Sequence, residues 1–325
     1  MKKSLLLILS IFLFSCKKES KIEETYLLST PVGFPQPTIP ADNKPTKARV
    51  ALGKMLFFDP ILSRDSSLSC ASCHLTDKKF SDGNIVSIGI AGRTGIRNAP
   101  SLLNAAYLPV MFWDGGVPNL EQQVLAPIEN PNEMDFSVPE VIVRLLRNEE
   151  YKRLFLEAYG RQPDIYSFTR AIACFERTLF TGITPYDDYV YNKNENALNA
   201  SELRGMNIFF GERGECFHCH GSYNFTDHSF ANNGLYEFYA DSGRARITLS
   251  PSDVGKFKVP SLRNIAQTAP YMHDGTKATL EEVIEHYDSG GKYHINKSPI
   301  LKPLHLTAQE KQDLIAFLHA LSDNI

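Results

Sequence analysis

The chain has 325 residues, 43% of them hydrophobic and 22% charged, with a formal net charge of −3 and a pI near 6.3. This suits a globular body of two domains, or one domain duplicated, and gives no electrostatic reason to expect nucleic acid or an anionic membrane surface as a partner. Beyond the N-terminus, no apolar run is long enough to span a bilayer.

The N-terminus is different. Lys2 and Lys3 precede an apolar run, Leu5 to Phe14, followed by Ser15-Cys16. A basic start with a short apolar core reads as a secretory signal, too short for a stable membrane helix. Leu13-Phe14-Ser15-Cys16 resembles a bacterial lipobox, cut before a cysteine that is then acylated to anchor the body to a membrane. Phe14 departs from the usual small residue, so plain signal cleavage nearby stays open. Residues 1–16 are therefore expected to be a lipoprotein-type signal peptide, and polar, Pro-rich 17–45 a flexible tether.

Lys47 to Phe58 reads as a helix, stopped by Asp59-Pro60, and leads into Cys70-Ala71-Ser72-Cys73-His74. Two thiols two residues apart, followed at once by a histidine, form the attachment pattern of a c-type haem. Each thiol adds to one vinyl group on the same porphyrin edge, and the histidine becomes the proximal iron ligand. Zinc ribbons also use C-x-x-C, so one pentad alone is moderately specific.

Farther along, Ser137 with Glu140 forms a capping-box signature for a helix running to about Tyr159, and Asp164 can cap a helix to Phe180. Ser201 to Phe210 leads into a second pentad, Cys216-Phe217-His218-Cys219-His220. Two full pentads in an exported chain favour two covalently bound c-type haems over two zinc half-sites. Thr279 with Glu282 and Thr307 with Glu310 are further capping boxes, and Leu314, Leu318 and Leu321 share one face of the last helix. Of six cysteines, one is assigned to lipid and four to haem. The sixth, Cys174, falls in a helical run as a small buried apolar residue.

The two pentads head near-duplicate stretches. The first is followed by Arg97-Asn98-Ala99-Pro100-Ser101-Leu102, then Phe112-Trp113-Asp114-Gly115 and Asn119-Leu120-Glu121. The second is followed by Lys258-Val259-Pro260-Ser261-Leu262-Arg263-Asn264, then Met272-His273-Asp274-Gly275 and Thr279-Leu280-Glu281, after an insertion at about 227–255. The expected fold is mainly α, with two cytochrome c-like haem domains, 46–195 and 196–325, related by internal duplication and carrying long loops. Tyr287 lies thirteen residues beyond Asp274, and Pro127 thirteen beyond Asp114. If that position overlies the iron, one haem is offered a phenol and the other no donor atom. Such unequal irons suit an enzyme that binds substrate at one haem and stores an oxidising equivalent at the other.

From about Ala51 to the C-terminus the chain resembles the bacterial di-haem cytochrome c peroxidase superfamily, including its MauG branch. The resemblance rests on Leu52-Gly53-Lys54-Met55-Leu56-Phe57-Phe58-Asp59, both pentads, Arg97-Asn98-Ala99-Pro100, Phe112-Trp113-Asp114-Gly115, Glu133-Met134 and Val259 through Tyr271. It implies that His74 is proximal ligand of a peroxidatic haem and His220 that of an electron-transfer haem, with Trp113 between them. It implies Glu133 as the distal acid–base group, a role its chemistry suits because peroxide heterolysis moves a proton from the inner oxygen to the outer. Gln123 would be its neighbour. Asn98 with the carbonyls of Thr268 and Pro270 would hold one Ca2+ between the halves, and His273 would sit at a haem edge bonding a propionate.

Two departures from the commoner pattern matter. Ile90 stands where many members carry a histidine that ligates the peroxidatic iron until reduction releases it. Tyr287 replaces the usual methionine ligand of the other haem, as in the MauG branch, with adjacent His286 as a rival. The resulting expectation is a periplasmic, lipid-anchored peroxidase that reduces hydrogen peroxide with electrons from a small redox protein such as cytochrome c. The alternatives are a MauG-like oxidase that modifies a protein or small substrate, and a non-enzymatic di-haem electron carrier. A monomer and a homodimer are both open.

Overall fold

The computed structural model describes Tyr26 and residues 28–323, so the expected signal peptide, Cys16 and most of 17–27 lie outside it. Helix α1 (Lys47–Phe58) starts where Thr46 accepts from the Arg49 N–H, and Asp59 ends it while capping the short turn Pro60–Leu62. Short helices α2 (Leu120–Gln123) and α3 (Leu125–Glu129) follow. The helix expected from Ser137 to Tyr159 is instead two, α4 (Val138–Leu146) and α5 (Glu149–Tyr159). The break has a local cause: the Asn148 side chain accepts from the N–H groups of Glu150 and Tyr151, starting a new helix where the old one would continue. Helix α6 (Ile165–Glu176) starts at Asp164 as its capping pattern indicates, but ends at Glu176 rather than Phe180.

Then come α7 (Pro185–Tyr191), α8 (Ala200–Phe210), α9 (Phe217–His220) and α10 (Ala245–Thr248). Helices α11 (Leu280–Asp288) and α12 (Ala308–His319) complete the order. The Thr279 and Thr307 caps form as the sequence indicates. Among the described residues, sheet is confined to an antiparallel pair of two-residue strands, β1 (Phe230–Ala231) and β2 (Phe257–Lys258), with Phe230 opposite Lys258. The fold is mainly helical. No helix among the described residues is long and apolar enough to cross a membrane.

Two helix pairs organise the cores. Helix α1 packs on α6 through Leu52, Leu56 and Phe57 against Phe168, Ala171 and Ile172, the Leu, Ile and Phe side chains each worth roughly 1.5–3 kcal/mol when fully buried. Contact is close because Gly53 has no Cβ; one placed there would overlap the Ala171 carbonyl oxygen. Helix α8 packs on α12 in the same manner, with Gly205 against the Asp313 carbonyl oxygen and Phe209 against Leu314, Phe317 and Leu318. Cys174 on α6 is fully buried as expected, and its thiol faces the Asn43 Oδ1 at 3.1 Å.

Residues 28–45 differ from the expected tether. Phe34 packs edge-on against Tyr107 and Tyr223, and the buried Asn43 donates to Glu121 Oε1 at 2.6 Å and to the Arg170 carbonyl. An aromatic anchor and a satisfied buried amide hold the Pro-rich stretch against the body, a preference that composition alone does not register.

Candidate active site

One continuous cavity of about 890 Å³ is walled by both halves of the chain. Cys70, Cys73 and His74 line it on one side and Cys216, Cys219 and His220 on the other, with all four thiols free. In each pentad a tight turn brings the thiols and the imidazole together: His74 N–H bonds to the Cys70 carbonyl, and His220 N–H to the Cys216 carbonyl.

The two histidines are held alike. His74 Nδ1 donates to the Phe80 carbonyl at 2.8 Å and His220 Nδ1 to the Phe225 carbonyl at 2.7 Å. A carbonyl can only accept, so Nδ1 carries the proton and Nε2 keeps its lone pair for a metal. Burial lowers both imidazole pKa values, favouring the neutral ligating form. Among the described residues no three or more His, Cys, Asp or Glu side chains gather into a metal cage.

Beyond the first pentad, Glu133, Gln123, Pro127 and Asn130 all reach the cavity wall. Burial raises the Glu133 carboxyl pKa, and an Asn130 Nδ2 donation to Glu133 Oε1 at 2.7 Å works against that rise. Ile90 is buried with its N–H bonded to the Glu133 carbonyl at 2.8 Å, and it does not line the cavity. The loop presses so closely here that a Cβ on Gly89 would overlap the Asn132 carbonyl oxygen. Arg93 and Arg64 both reach Asp135, pinning the same contact.

Across the cavity, α11 places Tyr287 in the wall with the second pentad, whereas His286 is not part of the wall. His286 Nε2 donates instead to the Asn233 carbonyl at 3.0 Å. Burial pushes the Tyr287 hydroxyl pKa up, and a hydrogen bond from the Asn233 side chain works against it.

Between the pentads, Trp113 Nε1 donates to the Asn98 carbonyl at 2.9 Å, and the Trp113 carbonyl accepts from the Lys258 N–H at 2.7 Å. The Asn98 N–H bonds to the His273 carbonyl, and its side chain donates to the Asn84 carbonyl. Asn98, Thr268, Pro270 and His273 all border the cavity, with the His273 ring stacked on Phe257 at 3.7 Å. Arg97 joins Asp114 and Asp241, while Arg246 also reaches Asp114 at 2.6 Å, clamping the insertion onto the first half.

A family model described as di-haem cytochrome c peroxidase matches residues 47–195. The chain is 38% identical to Cytochrome-c peroxidase IdrP1 of Pseudomonas sp. (strain SCT), covering 89% of this chain and 84% of that one. The chain belongs to the di-haem cytochrome c peroxidase family. Methylamine utilization protein MauG of Methylorubrum extorquens is 40% identical over 87% of this chain and 80% of its own. The crystal structure of a MauG-like protein associated with microbial copper homeostasis superposes with a TM-score of 0.86 at 37% identity, covering 92% of this chain and 96% of that one.

As a member of this family the protein is a peroxidase-type oxidoreductase with two c-type haems, and the carrier reading gives way. The residues fit those groups: paired free thiols, imidazoles with Nε2 available, and a cavity wall drawn mainly from apolar side chains. Sequence reading missed three cavity residues. Asn130 stands three positions before Glu133, a spacing that could have flagged it. Asn233 lies in the insertion, where the repeat offers no counterpart. Glu176 closes α6 with Oε2 buried and unpartnered, and nothing in its local sequence distinguishes it from a helix-end carboxylate.

Proposed function

We propose that this enzyme reduces hydrogen peroxide to water with electrons from a small redox protein such as a cytochrome c. The observation that carries the reading is a half-buried carboxylate, Glu133, with a raised pKa on a wall where the repeat places Pro127 rather than a ligand. When bound, the haems supply redox-active iron and a store for oxidising equivalents.

The side chains do the rest. The Glu133 carboxylate accepts the proton of the inner peroxide oxygen and returns it to the outer one as the O–O bond breaks. Asn130 aims the carboxylate, and the Gln123 amide can donate to the bound peroxide. Each peroxide takes two electrons and two further protons and leaves as two waters. Trp113, held from both halves, gives electrons an aromatic route between His74 and His220, the proximal ligands.

Tyr287, His273, Asn98, Thr268 and Pro270 all border the cavity; Tyr287 would give an oxygen to the second haem, His273 would bond a propionate, and Asn98, Thr268 and Pro270 would offer oxygens to one Ca2+. In this reading 46–195 and 196–325 are duplicated haem modules. The similar histidine anchors and the glycine crossings at Gly53 and Gly205 support it. A periplasmic site and a lipid anchor on Cys16 complete the proposal, with monomer and homodimer both open. A MauG-like oxidation of a protein or small substrate is the second reading, favoured by Tyr287 in the wall and by Ile90 in place of a ligand. Steady-state oxidation of reduced cytochrome c by peroxide separates the two. Rapid turnover supports the peroxidase, whereas poor turnover with a long-lived doubly oxidised state supports the MauG-like reading.

A further inference from the structure

The insertion at 227–255 has no counterpart in the first half and no part in the chemistry above. It brings Asn233 to the cavity wall beside Tyr287 and Met272. Three side chains near the second haem carry an atom able to bind iron: the Tyr287 hydroxyl, the His286 imidazole and the Met272 thioether. Asn233 engages two of them, His286 and Met272. Its main-chain carbonyl accepts from His286 Nε2 at 3.0 Å, and its Nδ2 donates to Met272 Sδ at 3.4 Å.

We propose that Asn233 is a positioning residue that selects Tyr287 as the sixth ligand of the second haem by holding Met272 and His286 away from the iron. The inference rests on the reading of Tyr287 as that ligand. The physical logic is competitive. A thioether whose lone pair accepts an N–H and an imidazole tied to a carbonyl must each break a hydrogen bond before they can bind metal.

Asn233 does this from a fixed base. Its Oδ1 accepts from the Leu235 N–H at 3.2 Å, and the neighbouring Asn232, fully buried, accepts from the Gly234 N–H at 2.8 Å. The first half has neither the insertion nor a donor at the matched Pro127. The inequality of the two haems is then built by one loop as well as by one substitution.

The test uses the holoprotein with both haems attached. Near-infrared magnetic circular dichroism separates phenolate, thioether and imidazole ligation, and a spectroelectrochemical titration gives each midpoint potential. Asn233→Ala and Asn233→Leu keep the main-chain carbonyl that holds His286, so each should lose most of the phenolate signature, gain a thioether signature and raise the potential of the second haem. Met272→Leu added to Asn233→Ala should remove the thioether signature, while Met272→Leu alone should change nothing. A pure phenolate signature and an unchanged potential in both Asn233 variants would overturn the selection. A wild-type protein without phenolate, unaltered by Tyr287→Phe, would overturn the ligand reading and with it this one. Should Asn233→Leu fail to fold, Asn233→Ala carries the same comparison.

Discussion

The Asn130 Nδ2 donates to Glu133 Oε1 at 2.7 Å across a turn of three residues, within the wall that faces the first pentad. Burial raises the Glu133 pKa, and this single donor favours the charged form. Glu133→Gln should keep both haems and slow peroxide reduction by roughly 10²–10⁴-fold. Undiminished turnover in that variant removes Glu133 from the chemistry.

Asn130→Ala should act through pH. Without the donor, Glu133 holds its proton to higher pH, so the carboxylate needed as base is lost sooner on acidification. The acid limb of the kcat/KM profile should therefore move to higher pH, with activity regained at the alkaline end. A uniform loss at every pH would mark a structural defect instead.

Gly89→Ala should damage the same site from the other side. Its Cβ would overlap the Asn132 carbonyl oxygen, so one of the two loops must shift, at a cost of about 1–3 kcal/mol. Because the Ile90 N–H is bonded to the Glu133 carbonyl, that shift displaces the carboxylate. We expect peroxide turnover to fall well before thermal stability does, as read by paired kinetics and melting curves.

Much of this was legible in the sequence, and unevenly so. The pentads are attachment patterns written in consecutive residues, and Cys70, Cys73, His74, Cys216, Cys219 and His220 all line the cavity. Helix starts at Ser137, Asp164, Thr279 and Thr307 could be read because a cap is a local hydrogen bond. The break at Asn148 follows the same local rule, an asparagine side chain that caps a new helix inside the stretch read as one. The docking of Phe34 and Asn43 was not legible, since their partners Tyr223 and Glu121 lie far along the chain. Asn233 likewise gains its role from Met272 and His286, which only the fold brings near.

Glu176 gives a stability prediction. Burial pushes its carboxyl pKa up to about 8, although Arg177 acts to lower it. Arg177 is committed to Glu121 through contacts at 2.6 and 2.8 Å. A carboxyl whose folded pKa lies above its unfolded value of about 4.5 binds more protons folded, so stability should fall as pH rises from about 4.5 to 8. Glu176→Gln should remove that slope and stabilise the protein above pH 8 by a few kcal/mol, with little change near pH 4.5. Melting curves across this range test it, and parallel curves for the two proteins would contradict it.

Asp114 tests the clamp between the halves. Burial would raise its pKa, but Arg97 and Arg246 hold it below the ordinary value, so the pair stabilises at neutral pH and weakens on acidification. Asp114→Asn should cost about 3 kcal/mol, because it leaves the part-buried Arg97 with one partner fewer. Denaturant unfolding at pH 7 measures this, and an unchanged midpoint would show the clamp to be inert.

Ferric electron paramagnetic resonance of the resting holoprotein, repeated after one equivalent of peroxide, bears most directly on the proposed division of labour. Pro127 and Tyr287 at matched positions predict one high-spin and one low-spin haem, with the high-spin signal lost on peroxide addition. Two low-spin signals that peroxide leaves untouched would contradict the account.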